Sequence, residues 1–296
     1  MKNFIASAIQ IAVKPNDVKY NTEKVCHWME LARREHEAEL VVFPETVTTG
    51  FTPNMPVEEF YDIIGSVPGY ETEEVSKAAK KLGVHVVLPM YEKGVEKNTI
   101  YNSSVLIDDN GDILGIYRKT HPFPTERKEG GGWTTPGTEA PVIDTRLGKI
   151  GMIICYDGDF PELSRVLALN GAEIITRPAA LLRSYDIWEL TNLARAYDNH
   201  VYMIAVNSIG PDAGNYYYFG NSMIVSPIAQ KLAQARGTEE IISVRLDPDP
   251  IRHVTYGAKT PMIFDHIEDR NVGVYKDILK EGRCAFEPAK RIPYKK

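Results

Sequence analysis

Short apolar runs, separated by polar and turn-forming residues, divide the first half of the chain into predicted strands and helices. Apolar and polar residues alternate over 4–13, which predicts a strand, and over 21–38 the apolar residues recur at helical spacing. Residues 40–43 are continuously apolar, as in a strand buried on both faces, whereas 46–68 are rich in Thr, Pro and Gly and predict a loop. We then predict a helix at 71–82 and strands at 84–88, 101–107 and 113–117.

The same order of elements returns in the second half. We predict a strand at 150–155, a helix at 161–170, a strand at 173–176, a helix around 187–197, and strands at 201–206, 219–225 and 240–246, the last as hairpin partner of the one before it. Each half thus begins with strand, helix, strand, helix and continues with consecutive strands, which indicates a mixed sheet covered by helices on one face. The predicted fold is an α/β four-layer α-β-β-α sandwich with two pseudo-repeated halves in one domain, residues 1–250. Residues 251–296 are predicted to be a C-terminal arm or tail that packs on the domain or on a partner subunit.

Composition and charge exclude several classes of protein. The chain of 296 residues is 43% hydrophobic and 25% charged, as in soluble globular proteins. Its net charge of −6 and the absence of a basic run argue against nucleic-acid binding, and no apolar stretch is long enough for a membrane span. The seven His are scattered without the spacing of metal ligands, so we predict no metal site.

Cysteine usage predicts a cytoplasmic protein. The three cysteines, at 26, 155 and 284, are odd in number and far apart, which fits a reducing compartment better than a disulfide framework. The Asn-X-Ser sequon at Asn102 is accordingly given no role.

Cys155 is the first candidate for chemistry because it follows a predicted strand and precedes a predicted helix. Sheets of α/β proteins usually place their functional groups at such a position. Asp159 is predicted to cap the helix, whose dipole would favour the nucleophilic thiolate. Taken alone, Cys155 is better explained as a small buried core residue.

Two other predicted strands also end in ionisable residues. Glu45 follows the strand at 40–43, and Lys119 follows the strand at 113–117. Each alone is typical of a solvated side chain. With Cys155 they form a workable set, since a desolvated carboxylate can take the proton of a thiol and a lysine can stabilise negative charge on the attacked substrate.

The motifs around these three residues resemble those of the nitrilase superfamily of carbon–nitrogen hydrolases. They are Phe43-Pro44-Glu45, Tyr117-Arg118-Lys119-Thr120-His121 and the run Gly151–Glu162 around Cys155, and they occur in family order over about residues 4–250. The resemblance implies an α-β-β-α sandwich with a Glu-Lys-Cys triad and no cofactor or metal. Glu45 would be the general base, Lys119 the stabiliser of the oxyanion and Cys155 the nucleophile.

The resemblance also implies further site residues. Family members often have a second glutamate shortly after the lysine; Glu126 fits this place, and Glu129 is close enough to be an alternative. The backbone N–H of Tyr156 would be a second donor to the oxyanion. The implied reaction is attack of Cys155 on an amide carbon, departure of ammonia or an amine, and hydrolysis of the resulting thioester.

The residues after Cys155 favour a small-molecule amide substrate. Asp157-Gly158 resembles the aliphatic amidase and formamidase branch, whereas true nitrilases more often have Trp-Glu there. Carbamoyl-amino-acid hydrolases tend to place arginines where this chain has Gly158 and Asp159. We therefore predict an aliphatic amidase-like enzyme. An N-carbamoyl or ω-amide hydrolase is the alternative, because Arg177 and Arg183 lie after the next strand and could bind a substrate carboxylate.

Two readings from other classes remain. The chain could be an inactive scaffold that binds a metabolite or a partner, although the intact triad argues against this. It could instead be a serine hydrolase that uses Ser222, which lacks the flanking glycines of a nucleophile elbow. We also predict a homodimer or higher homo-oligomer, with the aromatic cluster at 216–219 and the C-terminal arm as candidate interface regions.

Overall fold

The computed structural model describes residues 1–252, 254–256, 260–282, 284–286, 288 and 290–291, and its core is built from two six-stranded mixed sheets. The first half of the chain forms β1 (Phe4–Gln10), α1 (Val18–His36), β2 (Leu40–Val42), α2 (Val57–Ile63), α3 (Tyr70–Leu82), β3 (His85–Lys93), β4 (Ile100–Ile107) and β5 (Ile113–Arg118).

The second half begins with β6 (Val142–Thr145) and β7 (Gly148–Met152), followed by a 3₁₀ turn over Cys155–Asp159. It continues with α4 (Pro161–Leu169), β8 (Ile174–Ala179), α5 (Tyr185–Asn199), β9 (Tyr202–Asn207), β10 (Ile209–Pro211), β11 (Tyr217–Phe219), β12 (Met223–Val225), β13 (Lys231–Gln234) and β14 (Glu240–Leu246). A short hairpin, β15 (Thr255–Tyr256) and β16 (Thr260–Pro261), follows.

The predicted four-layer α-β-β-α sandwich is confirmed. The first sheet has the order β14-β1-β2-β3-β4-β5 and the second the order β13-β12-β9-β8-β7-β6. One apolar cluster lies between the first sheet and the helices α1 and α3, with Met29 and Val75 among its members. A second cluster joins the facing sheets and extends to α4 and α5, from Ala8 of β1 through Met203 of β9 to Trp188 of α5. Burial of these faces against one another drives the layering.

The last long strand belongs to the first sheet, so its prediction as hairpin partner of 219–225 is wrong. Residues 240–246 pair antiparallel with β1, where Phe4 lies opposite Leu246 and the hydroxyls of Ser7 and Ser243 are 2.8 Å apart. The hairpin partner of β12 is instead β13, a strand that was not predicted, and β9 pairs with the other edge of β12. The side chains of β13 are exposed or half-buried, which gives this edge strand a weak apolar signal.

Other differences from the prediction are local. The first strand ends at Gln10, the predicted loop at 46–68 contains the short helix α2, and β6 was not predicted. Asp159 does not cap α4, because the residue at the cap position is Phe160 and no side chain caps this helix.

The predicted arm falls partly outside the described residues, and its role stays a prediction. Among the residues that are described, His266 lies against α4 and α5: its backbone N–H donates to Nε2 of His200 (3.1 Å) and its carbonyl accepts from Arg165 (3.1 Å). Within the described ranges, no helix has the length and apolar character needed to cross a membrane.

Candidate active site

Three loops that follow β2, β5 and β7 bring Glu45, Lys119 and Cys155 into one buried site. The Lys119 ammonium lies 2.7 Å from Oε1 of Glu45 and 2.5 Å from Oε1 of Glu126. All four side chains are almost completely removed from solvent. The structure therefore assembles the residues that the three motifs had pointed to.

The carboxylate of Glu45 is held by three donors from different elements. Its Oε1 accepts from Lys119 (2.7 Å) and from Nδ2 of Asn102 in β4 (2.8 Å), and its Oε2 accepts from the backbone N–H of Ala180 (2.7 Å). The same N–H of Ala180 also interacts with the thiol of Cys155. Glu45 is thus fixed next to the thiol whose proton it would accept.

The second carboxylate of the site is Glu126 and not Glu129. Glu126 is completely buried beside Lys119, and its oxygens accept from the backbone N–H of Phe123 (2.7 Å) and from Oγ1 of Thr134 (3.0 Å). Glu129 is exposed within a short 3₁₀ turn. The positions of the two glutamates therefore assign Glu126, and not Glu129, to the buried cluster.

Burial and neighbouring charges shift the pKa values of Lys119, Glu126 and Cys155. Although burial alone would lower the pKa of Lys119, the charges of Glu126 and Glu45 raise it, so the side chain is an ammonium ion. Burial raises the pKa of Glu126, which Lys119 opposes. Burial, followed by the charge of Glu45, raises the pKa of Cys155 to about 12, while Lys119 and Arg177 act in the opposite direction. The expectation that the helix would favour a resting thiolate is therefore wrong: Cys155 is a thiol that needs a base.

Cys155, the candidate nucleophile, lies on a strained turn. Cys155 has a φ of +47°, a backbone conformation that non-glycine residues adopt at a cost of about 1–3 kcal/mol. Asp157, two residues later, is completely buried and anchors the turn. The groups that donate to its carboxylate are the backbone N–H of Ile154 (2.9 Å), the Tyr117 hydroxyl (2.7 Å), the Thr120 hydroxyl (3.2 Å) and the backbone N–H of His121 (2.9 Å), and Nδ1 of His121 lies at 2.9 Å. Asp157 therefore ties the cysteine turn to the segment that carries Lys119.

Arg177 lies behind the turn and does not line the pocket, so its expected contact with substrate is not supported by its position. Its guanidinium is completely buried and donates to the carbonyl of Cys155 (2.9 Å), to Asn192 (2.9 Å) and to Asp159 (3.3 Å). Burial lowers the pKa of Arg177 to about 10, so it remains a cation. A Cβ on Gly158 would lie 2.1 Å from this guanidinium, which explains the glycine at that position.

A small cavity of about 120 Å³ opens in front of Cys155. Its walls are mainly apolar, with contributions from Phe51, Phe123, Leu182, Tyr216 and Tyr218. The cation at its edge is Arg183, whose side chain is paired with Asp159 (2.7 Å) and lies over the rings of Phe123 and Tyr156. A larger groove of about 580 Å³ lies between α4, α5 and residues after 265, but no member of the triad lines it.

The remaining candidates are placed as follows. The Tyr156 ring packs edge-on against Phe123 and Phe160, and the proposed role of its backbone N–H stays a prediction. Ser222 is completely buried, and its hydroxyl donates to Gln10 (2.8 Å) and accepts from the N–H of Asn207 (3.0 Å). This engagement gives no support to the serine hydrolase reading. In the described part of the chain, no group of three or more His, Cys, Asp and Glu side chains could hold a metal ion.

Sequence reasoning missed several residues of the site. Asn102 was noted only as a glycosylation sequon, and Ala180 and Thr134 contribute through contacts that join distant parts of the chain. The sequence alone cannot decide which of Arg177 and Arg183 reaches the pocket; the structure places Arg183 at its edge. Only the burial of Asn102 within a predicted strand could have signalled a special role.

The sequence and the fold of this chain are similar to those of several known proteins. A family model described as carbon-nitrogen hydrolase matches residues 5–256, a range that includes all three motifs. A probable nitrilase of Schizosaccharomyces pombe is 34% identical over 283 residues, which cover 94% of this chain and 99% of that protein. A formamidase of Bacillus cereus is 35% identical over 216 residues, 71% of this chain and 62% of the formamidase. The crystal structure of Saccharomyces cerevisiae Nit3, a member of branch 10 of the nitrilase superfamily, aligns with a TM-score of 0.76 at 28% identity and covers 84% of this chain and 92% of Nit3.

Proposed function

The chain belongs to the carbon–nitrogen hydrolase family and is an enzyme that acts on C–N bonds other than peptide bonds, and we propose that it hydrolyses small neutral amides to a carboxylic acid and ammonia through a thioester on Cys155. The observation that carries this proposal is the buried ion pair of Glu45 and Lys119, whose charges act on the Cys155 thiol at a small apolar cavity.

In the first half-reaction, Glu45 takes the proton of the Cys155 thiol as the sulfur attacks the carbonyl carbon of the amide. The C–S bond forms and the carbonyl oxygen becomes an oxyanion. An ammonium group has three N–H bonds, so Lys119 can hold Glu45 and Glu126 and still donate to this oxygen. The backbone N–H of Tyr156 is the proposed second donor. Glu45 then returns the proton to the leaving nitrogen, the C–N bond breaks, and ammonia departs.

In the second half-reaction, Glu45 takes a proton from water, and the hydroxide formed attacks the thioester carbon. Collapse of this second intermediate breaks the C–S bond, releases the acid, and the proton returns to the sulfur of Cys155. Glu45 serves both steps because it is held in one position by Asn102, Lys119 and Ala180.

The size and the lining of the cavity favour a substrate with a small acyl group. Its volume of about 120 Å³ is well below the roughly 300–1,000 Å³ of pockets for drug-sized ligands, and its walls are largely apolar. Burial of a charged substrate group against such walls would be costly without a partner. A short neutral amide therefore fits the cavity best.

A second candidate is an amide that carries a carboxylate, as in ω-amides and N-carbamoyl acids, and the observation that favours it is Arg183. An uncompensated carboxylate at Asp159 would repel such a substrate. In the structure, Asp159 is paired with Arg183 and also contacts Arg177, so its negative charge is compensated. Arg183 is the cation that could meet a substrate carboxylate at the pocket edge.

The experiment is an ammonia-release screen over short aliphatic amides, ω-amides, N-carbamoyl amino acids and nitriles. Matched pairs with the same side chain, one a neutral amide and one an N-carbamoyl acid, make the comparison direct. We expect the neutral member to have the higher kcat/KM. A preference for the acid of more than about tenfold, or roughly 1.4 kcal/mol, would favour the second candidate. Release of no ammonia from any compound would contradict the proposal and favour a binding scaffold.

We further propose that the enzyme works in the cytoplasm as a homo-oligomer. The three cysteines are free thiols, which supports a reducing compartment. Exposed apolar side chains on α5, such as Leu190, and on β11, such as Tyr217, support a subunit interface. Sedimentation measurements on the full chain test the oligomeric state.

A further inference from the structure

Asn102, in the third position of β4, contacts every charged member of the buried cluster. Its side chain has no exposed surface, and its Nδ2 lies 2.8 Å from Oε1 of Glu45 and 3.4 Å from Oε2 of Glu126. Its backbone carbonyl accepts from the backbone N–H of Lys119 (2.8 Å). One residue of the sheet therefore reaches both carboxylates and fixes the backbone that carries the ammonium.

The charges of the buried cluster do not balance, and a neutral hydrogen-bond donor can stabilise the excess negative charge. Two carboxylates and one ammonium carry a net charge of −1 in a site without exposed surface, and a buried uncompensated charge tends to be neutralised by uptake of a proton. Hydrogen bonds donated to the charged form of a carboxylate oppose this uptake. Asn102 is a neutral donor, so it stabilises the carboxylates without changing the net charge.

The orientation of the amide supports this assignment. Both contacts to the carboxylates come from Nδ2, and Oδ1 of Asn102 has no hydrogen-bond partner among the described residues. The opposite orientation would place an amide oxygen against the oxygens of Glu45 and Glu126, which can only accept when they are ionised. The two carboxylates therefore determine the orientation of the Asn102 amide, which donates to both.

We propose that Asn102 is a positioning residue that keeps the Glu45–Glu126 pair ionised around Lys119, and that it thereby sets the lower pH limit at which Glu45 can act as a base toward Cys155. The proposal rests on the proposed function of Glu45. It predicts a role that is read in the pH dependence of the reaction and not only in its rate.

Three other neutral donors also reach the carboxylates, but each binds one of them: the backbone N–H of Ala180 binds Glu45, and the backbone N–H of Phe123 and the hydroxyl of Thr134 bind Glu126. The titratable and charged groups that face the pair are Lys119 after β5, Cys155 after β7, Tyr91 of β3 and Tyr218 of β11, with Arg177 of β8 acting on the cysteine. Burial raises the pKa of Tyr91 and of Tyr218, so both are neutral at the pH of the assay. The hydroxyls of these tyrosines donate elsewhere, to Phe51 and to Asp212.

The test compares Asn102→Leu and Asn102→Asp with the wild type. Leucine has a similar shape and no donor; aspartate has the same shape and adds a third acid to the cluster. The control is Ser104→Ala, a buried position two residues farther on the same strand whose hydroxyl has no hydrogen-bond partner in the described part of the chain. Two profiles are measured against pH: kcat/KM for the best amide, and the rate of alkylation of Cys155 by iodoacetamide, which requires no turnover.

We expect the acidic limb of both profiles to move to higher pH by about one pH unit or more in Asn102→Leu, that is, a roughly tenfold lower rate on the limb with recovery at higher pH. A larger shift is expected in Asn102→Asp, because the added acid repels the other two. Ser104→Ala should follow the wild type. If Asn102→Leu does not fold, as judged by its thermal transition, the limb of Asn102→Asp decides the question.

The outcomes separate the two claims. An unchanged limb, with either normal rates or a uniform loss at every pH, would show that Asn102 is merely structural and would overturn the inference. If the wild type hydrolyses no amide, the proposed function falls, yet the alkylation profile still reports whether Asn102 controls the ionisation of the pair.

Discussion

The two halves of the sandwich contribute to the active site in different ways. The first half supplies the buried cluster of Glu45, Lys119 and Glu126, in which three charged groups are in direct contact. The second half supplies the turn that carries Cys155, the proposed nucleophile, which is a single neutral side chain on a residue with a φ of +47°. The cluster is defined by charge, the turn by geometry.

The cluster and the turn are also held in place by different kinds of contact. Each carboxylate of the cluster receives several donors, so its position depends on an electrostatic network that is stable only when complete. The turn is held by its main chain: Asp157 accepts from the backbone N–H of Ile154, and Arg177 donates to the carbonyl of Cys155. Side-chain changes at the nucleophile should therefore remove chemistry alone, whereas changes in the cluster should remove both chemistry and stability.

The largest expected effect is on the nucleophile. Cys155→Ala should reduce kcat by more than about a thousandfold, because no other group in the cavity can form the thioester, while thermal unfolding stays close to that of the wild type. The matched controls Cys26→Ala and Cys284→Ala should retain activity. A Cys155→Ala enzyme with more than about a thousandth of the wild-type kcat would rule out covalent catalysis by this residue.

Changes in the cluster should have the next largest effect on rate and the largest on stability. Lys119→Met and Glu45→Gln should each lower kcat by roughly 10²–10⁴, the first through loss of the charge near the oxyanion and the second through loss of the base. Lys119→Met should also cost roughly 3–5 kcal/mol of the free energy of unfolding, because two buried carboxylates lose their cation. Near-normal rates, or an undiminished free energy in chemical denaturation of Lys119→Met, would contradict this account of the cluster.

Asp157→Asn tests the anchor between the two regions. One oxygen of Asp157 accepts the backbone N–H of His121 and the other that of Ile154, so an amide NH₂ would face a donor in either orientation. We expect kcat to fall by roughly 10- to 100-fold with little change in KM, as a misplaced reactive group does. The control is Asp144→Asn, whose side chain is 83% exposed. A loss confined to KM would assign Asp157 to substrate binding instead.

The smallest expected effect concerns the pocket edge. Arg183→Gln should change kcat/KM for a short neutral amide by less than about threefold but should lower that for a matched N-carbamoyl acid by about tenfold, since one charge contact is lost. Arg177→Gln should instead lower both rates together, because Arg177 supports the turn from behind. Equal effects of Arg183→Gln on both substrates would remove Arg183 from substrate recognition.

The sequence predicts features that depend on local patterns and does not predict contacts between distant segments. The strands and helices of the sandwich were predictable because their apolar periodicity is strong, and the motifs placed Glu45, Lys119 and Cys155 at strand ends. Contacts between distant segments were not predictable: the pairing of residues 240–246 with β1 depends on where the chain returns, and the edge strand β13 has little apolar signal.

The same limit applies to the details of the site. The raised pKa of Cys155 comes first from burial and then from Glu45, and neither burial nor proximity can be read from local spacing. Asp159 looked like a helix cap by position, yet its carboxylate pairs with Arg183, 24 residues later. The choice between Arg177 and Arg183 likewise depended on which side of the turn each guanidinium occupies.

The most direct test of the central claim is the intact mass of the enzyme after rapid acid quench during steady turnover of a short amide. The account predicts a fraction of protein heavier by the acyl group, with the label on the peptide that contains Cys155 and with no such species in Cys155→Ala. The account would be contradicted if the wild type turned over the amide without any acylated protein and if Cys155→Ala turned it over at the same rate.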